Sequence, residues 1–263
     1  ARLCAKLVDV ADLLRRELFG RVDSVILVSA TLATGGNFEF VRRELGVPVD
    51  ALQLAVDSPF DFERQALLVI PEDLPLPNDP SFADEVGTTL ARVVEHCRGR
   101  TLGLFTSHKV LAGARSHVAG GEYRVLCQGE HTPKELRRLF KEDVSSVLLG
   151  TGTFWTGIDV PGEALTAVVI DRLPFPHPED PVIQALCADD PQGFNRVMVP
   201  RAIIKLRQGV GRLIRTKSDV GVVVLLDRRI AEHAYGTRIL DSLPAMRTTR
   251  KLENINRFLD EAA

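Results

Sequence analysis

TLGLFTSHKVLAGARSHVAGGEYRVLCQGEHTPKELRRLFKEDVSSVLLGT, residues 101–151, is the stretch that decides the fold. TLGLFT (101–106), YRVLC (123–127) and SVLLGT (146–151) are short apolar runs bounded by turn formers. Such runs read as strands buried on both faces. Between them, 108–118 and 133–142 carry apolar residues at helical spacing. Thr132-Pro133-Lys134-Glu135 supplies an N-cap, a proline at the first helical position and a capping-box glutamate. Strands alternating with helices in this way predict an α/β fold, a mainly parallel sheet with helices on both faces.

The alternation extends in both directions. VILVSA (25–30), ALLVI (66–70), TAVVID (166–171) and VGVVVLLD (220–227) read as further strands, and 3–19, 37–45, 81–97 and 198–215 as further helices. The proline-rich connections 71–80 and 173–181 read as ordered surface loops and not as linkers. The expectation is therefore a lead-in helix within 1–22 and a single compact domain over 23–263. The chain begins at Ala1 and its only methionines are Met198 and Met246, so it reads as a piece of a longer protein.

Composition narrows the function classes. The chain has 263 residues, 33 Lys plus Arg against 35 Asp plus Glu, and a net charge of −2. A polycation is excluded, so any nucleic-acid contact must come from a local cationic stripe. No apolar run approaches the roughly 18 residues of a membrane span. The charged N-terminal segment is no signal peptide, and a cytoplasmic setting is expected. Cys4, Cys97, Cys127 and Cys187 are dispersed without a CxxC pair, which reads as reduced thiols with no metal site.

Chemistry concentrates in three stretches. In MVPRAIIKLRQGVGRLIR (198–215), Ile203, Leu206, Val210, Leu213 and Ile214 fall within about 100° of one another on a helical wheel. Gln208, Arg212 and Arg215 lie almost opposite, and Arg201 and Lys205 extend that polar side. Gly209 and Gly211 each cost roughly 1 kcal/mol inside a helix. They predict a close approach by a backbone or an anion, and arginine's rigid fork suits a polyphosphate. In SVLLGTGTFWTGIDVPG (146–162), a strand enters a glycine-rich loop carrying Trp155 and Asp159, at the strand end where open α/β sheets bind ligands. VSATL (28–32) ends a strand in small hydroxyl residues.

In order, VSATL, LFTSHK (104–109), VLCQGE (125–130), GTFWTGIDVPG (152–162) and QGVGRLIRT (208–216) resemble the second motor domain of superfamily 2 helicases of the DinG/XPD type. The likeness is to helicase motifs III, IV, the QG element, V and VI, and spans roughly 23–245. Ser58-Pro59-Phe60, LPFPHPEDP (173–181), Asp227-Arg228-Arg229 and LDSLP (240–244) fit it too. The resemblance implies a RecA-like fold that closes, with a first RecA-like domain, around ATP with Mg2+. It implies that Arg212 and Arg215 act as arginine fingers, with Gln208, Gly157, Asp159, Ser29 and Thr31 on the nucleotide side. It implies that Thr106, Ser107, His108, Gln128, Thr153 and Trp155 lie along single-stranded DNA. It further implies 5′-to-3′ movement, a monomer, no membrane partner, and an iron–sulfur cluster in some parents but outside this chain.

Two departures qualify the resemblance. Thr156 stands where many relatives carry glutamate. The chain also has no GxxxxGK[ST], no Gly-Lys pair and no DExH box after a strand, so by itself it is expected to be inactive. The alternative is a degenerate RecA-like module that binds nucleic acid or protein without catalysis. A self-sufficient α/β nucleotide enzyme lacks its loop, because Thr34-Gly35-Gly36 does not follow the required pattern.

Overall fold

The computed structural model describes residues 5–155, 165–188 and 190–262. Helix α1 (Ala11–Leu14) continues into a π-helical turn, Arg15–Phe19, and α2 (Glu39–Leu45) follows. Next come α3 (Phe62–Gln65), β1 (Ala66–Val69), α4 (Phe82–His96), β2 (Thr101–Phe105) and α5 (His108–Val118). The chain continues through β3 (Val125–Cys127), α6 (Pro133–Glu142), β4 (Val147–Thr151), a 3-10 turn (Gly152–Trp155) and β5 (Ala167–Ile170). It closes with α7 (Pro181–Cys187), a second π turn (Phe194–Met198), α8 (Val199–Val210), β6 (Gly221–Leu225), α9 (Arg229–Glu232), α10 (Ala234–Leu240), β7 (Arg247–Thr249) and α11 (Asn254–Ala262).

Where the sequence predicts one compact domain over 23–263, the chain divides into two units: Ala1–Asp57 with Phe175–Ile204, and Ser58–Pro174 with Lys205–Ala263. The larger unit holds the whole sheet, in the order β3-β4-β2-β5-β6-β1-β7, and every pairing is parallel. Every residue of β1, β2, β4, β5 and β6 is buried, as a sheet covered on both sides requires. One face presents Val69, Phe105, Leu149, Val169 and Val224 to Val86 and Leu90 of α4, Ala114 of α5 and Ile255 of α11. The alternate residues, among them Leu104, Leu148 and Val168, are fully buried on the other face. Each such side chain contributes about 1.5–3 kcal/mol.

Local chemistry sets several boundaries. Thr132 accepts the Glu135 N–H at 3.2 Å and Pro133 occupies the first turn of α6, as its sequence predicts. Ser107 accepts the Val110 N–H at 3.2 Å and so starts α5 directly after β2.

Four expectations need correction. VILVSA (25–30) forms no strand; Ile26 is 83% and Val28 87% exposed. Its β-branched residues suit a strand, yet no described neighbour supplies a ladder. The helix predicted over 3–19 is confined, among the described residues, to Ala11–Leu14 and its π turn. The strand over 123–127 shortens to Val125–Cys127. The helix over 198–215 ends at Val210. There the Gly211 N–H reaches Arg207 O at 2.8 Å, and the Arg212 and Leu213 N–H groups turn back only three residues, to Gly209 and Val210. Asp219 then accepts the Arg215 and Thr216 N–H groups, each at 2.8 Å.

Candidate nucleic-acid and nucleotide interface

In the larger unit Thr106, Ser107, His108, Gln128 and Thr153 gather at the carboxyl edge of the sheet, whereas Arg215 lies toward the amino edge, beside Thr216, whose carbonyl takes the Gln65 side chain just before β1; the topology explains the first group. The connection after β2 runs to β3 at one margin, whereas the connection after the neighbouring β5 runs to β6 in the other direction. Chain leaving adjacent parallel strands in opposite directions opens a crevice at their carboxyl ends. Thr106 follows β2 and Asp171 follows β5, so both stand at this crevice.

Asp171 is 1% exposed and grips Thr106 with both oxygens: Thr106 N–H at 2.9 Å and Thr106 Oγ1–H at 3.1 Å. It also accepts the Arg172 N–H at 2.8 Å. Burial raises its pKa to about 7, against the pull of the Arg172 guanidinium and these hydrogen bonds. Lys205 sits nearby on α8, its Nζ 5.1 Å from the Trp155 ring centroid. Burial lowers the Lys205 pKa, and the Asp171 charge partly opposes that. At the end of β6, Asp227 is fully buried, forks with Arg229 at 2.7 and 2.9 Å and accepts the Leu173 N–H at 2.8 Å.

Beside the crevice, three strand ends are tied together. Gln128 Oε1 accepts the Thr151 N–H at 2.6 Å and the Thr151 hydroxyl at 3.2 Å, and Thr151 Oγ1 meets His108 Nε2 at 3.4 Å. His108 and Thr153 are exposed and Ser107 is half-buried. Thr106, Ser107, His108, Gln128 and Thr153 thus all lie just past the carboxyl ends of β2, β3 and β4.

Trp155 does not join them, and its expected place along DNA is corrected. Its ring is fully buried and its Nε1–H donates to Phe105 O at 2.9 Å, so no base can stack on it. The same ring explains Gly209: a Cβ there would stand 3.1 Å from Leu104 Cδ1 and 3.3 Å from Trp155 Cζ3. The close approach predicted at Gly209 is therefore made by the core, not by an anion.

The basic face of 198–215 also differs from its helical wheel. Ile203, Leu206, Val210, Leu213 and Ile214 form the buried stripe, as predicted. Arg212, however, is 6% exposed and donates from Nη2 to the Trp155 carbonyl. Gln208 and Arg215 are half-buried. Arg201 belongs to the other unit, where it pairs with Glu44 and lies 5.4 Å over the Phe40 ring. Ser29 and Thr31 are in that unit too, in a short turn where Ser29 Oγ accepts the Thr31 N–H at 3.2 Å. Gly157 and Asp159 lie outside the described residues.

Sequence reasoning missed Asp171 and Thr151 as members of this edge. The available signal was the acid itself: TAVVID ends a buried strand on a carboxylate, at the end where α/β sheets place ligands. Among the described residues no three His, Cys, Asp or Glu side chains converge on a metal-sized point. Cys97 and Cys127 are buried thiols, and burial pushes Cys97 up to about 12.

A family model described as the helicase C-terminal domain matches residues 90–246. The chain is 38% identical over 257 residues to the ATP-dependent DNA helicase YoaA of Haemophilus influenzae, covering 95% of this chain and 40% of that protein. It is 37% identical over 266 residues to the ATP-dependent helicase DinG of Mycobacterium tuberculosis, covering 97% and 40%. It thus spans about 40% of the length of these relatives. A solved XPD helicase superposes with a TM-score of 0.67 at 18% identity, over 92% of this chain and 45% of that one, which shows the shared RecA-like fold. The chain belongs to the helicase C-terminal domain family and has a RecA-like fold.

Proposed function

We propose that this chain is the second motor domain of an ATP-dependent DNA helicase moving 5′ to 3′, and that it grips single-stranded DNA along the loops leaving β2, β3 and β4. The observation that carries the reading is the meeting of His108, Gln128 and Thr151 from separate strand ends, beside exposed Thr153. Hydroxyl, amide and imidazole groups of this kind hold phosphates without reading sequence, which suits a motor that must pass every base. Such a footprint also needs no large positive charge, in keeping with the net −2.

The chain contains no Gly-Lys pair, so the cradle for ATP and Mg2+ belongs to a first RecA-like domain of the same parent. This domain contributes cations. Arg215, half-buried past the end of α8, is the nearer to solvent. Arg212 is nearly buried, with Nη2 held by the Trp155 carbonyl. Gln208 supports them, and Gly157, Asp159, Ser29 and Thr31 couple nucleotide to DNA.

In the intact parent, Arg212→Ala and Arg215→Ala are each expected to lower DNA-stimulated ATP hydrolysis by about 10³-fold or more. The isolated chain is expected to bind oligothymidylate weakly, with an affinity that falls steeply with salt, and to hydrolyse no ATP. Wild-type hydrolysis by both arginine variants, with the fold intact, overturns the finger assignment. Vigorous turnover by the isolated chain overturns the half-motor reading.

A further inference from the structure

We infer that Asp171 is the positioning residue of the strand-gripping loop: from the far side of the crevice it holds Thr106, and through the turn it sets Ser107 and His108 for contact with DNA phosphates. The inference rests on the reading of these three residues as strand-gripping groups. Asp171 touches no proposed ligand and acts through its two bonds to Thr106. Thr106 is the only residue between β2 and Ser107, and Ser107 is the cap from which α5 begins. A carboxylate that fixes both the N–H and the hydroxyl of Thr106 therefore fixes the entry angle of α5 and the place of His108 at its first position. Packing alone would be served by an apolar residue at the end of β5. A buried charge costs stability, so its retention points to use of both acceptors.

The ionised form is the one that accepts two donors from one residue and a third from Arg172. In the protonated carboxyl the O–H must itself donate to Thr106 Oγ1, so the Thr106 hydroxyl no longer donates and the charge-assisted strength of all three bonds is lost. The charged groups facing Asp171 are Arg172, whose Nε is 3.5 Å away, and Lys205 from α8. On α5, His108 is engaged with Thr151, and at the end of β6 Asp227 is engaged with Arg229. Burial raises the Asp171 pKa to about 7, so the loop is held fully only above neutrality.

The test is Asp171→Asn in this chain, with fluorescein-labelled oligothymidylate as probe and affinity compared with wild type at each pH, so that histidine titration common to both cancels. At about pH 8 the variant is expected to bind about fivefold more weakly, the size of one net hydrogen bond. At about pH 6, where wild-type Asp171 is itself neutral, the two are expected to agree within about twofold. Thermal unfolding at about pH 8 is expected to show the variant at least as stable as wild type, a result that separates positioning from support of the fold. Should Asp171→Asn unfold, Asp171→Ser, which removes the charge and leaves the strand-gripping residues untouched, is expected to give the same pH-dependent ratio. Equal affinity at about pH 8, or a ratio that does not change with pH, overturns the inference if His108→Ala still weakens binding. If wild type fails to bind, or if His108→Ala and Gln128→Ala leave affinity unchanged, the strand-gripping reading itself fails and the positioning role falls with it.

Discussion

Gly209 shows what one missing methyl group can specify. The position lies within van der Waals reach of Leu104 on β2 and of the buried Trp155 ring. Gly209→Val drives branched carbon into both neighbours and is expected to destabilise the domain by about 1–3 kcal/mol, measured by urea unfolding. The cost has a wider meaning, because Trp155 is held from three sides: Phe105 O accepts its indole N–H, Lys205 lies over its ring, and Arg212 binds its carbonyl. Arg212 thus does structural work in this conformation whatever it does in a closed motor. Arg212→Lys keeps the charge but not the fork, and is expected to lower the thermal midpoint less than Arg212→Ala while still impairing hydrolysis in the parent.

At the scale of elements, the segments that matched their sequence are those whose cause is local. α6 begins where Thr132 and Pro133 place it, and Thr132→Ala is expected to cost about 1 kcal/mol, read as a shift in urea midpoint at constant slope. α8 stops at Val210, and a few residues on Asp219 captures the Arg215 and Thr216 N–H groups, a side-chain-to-backbone contact that apolar periodicity does not carry. β7 escaped notice for the opposite reason. Arg247, Thr248 and Thr249 have no apolar pattern, and the strand exists because the edge of β1 offers unpaired backbone groups. In 25–30 the apolar pattern is present and the ladder is not. A strand is a property of a pair, so either half of the requirement can be missing.

For the whole molecule, pH dependence follows from Asp171. Its pKa is raised on folding, so the folded state holds its proton more tightly than the unfolded chain does. Its contribution to stability is therefore complete below about pH 4 and is lost as pH rises through about 7, with a slope of at most about 1.4 kcal/mol per pH unit. A thermal-midpoint profile of wild type against Asp171→Asn checks this: the gap is expected to widen in favour of the variant from acid to neutral pH, and parallel profiles contradict it. Asp171 thus contributes most to stability at the pH where it holds the loop least.

The α/β class, most of the sheet strands and the family likeness could be read from residues 101–151 and the motifs around them, because buried parallel strands and capped helices are written in short, local patterns. Strand order, the division into two units, the crevice between β2 and β5, and the partners of Asp171, Trp155 and Arg212 were decided by tertiary structure alone. Each of these joins residues far apart in the chain. A pattern along the sequence records what a residue prefers; only packing decides which distant group it meets.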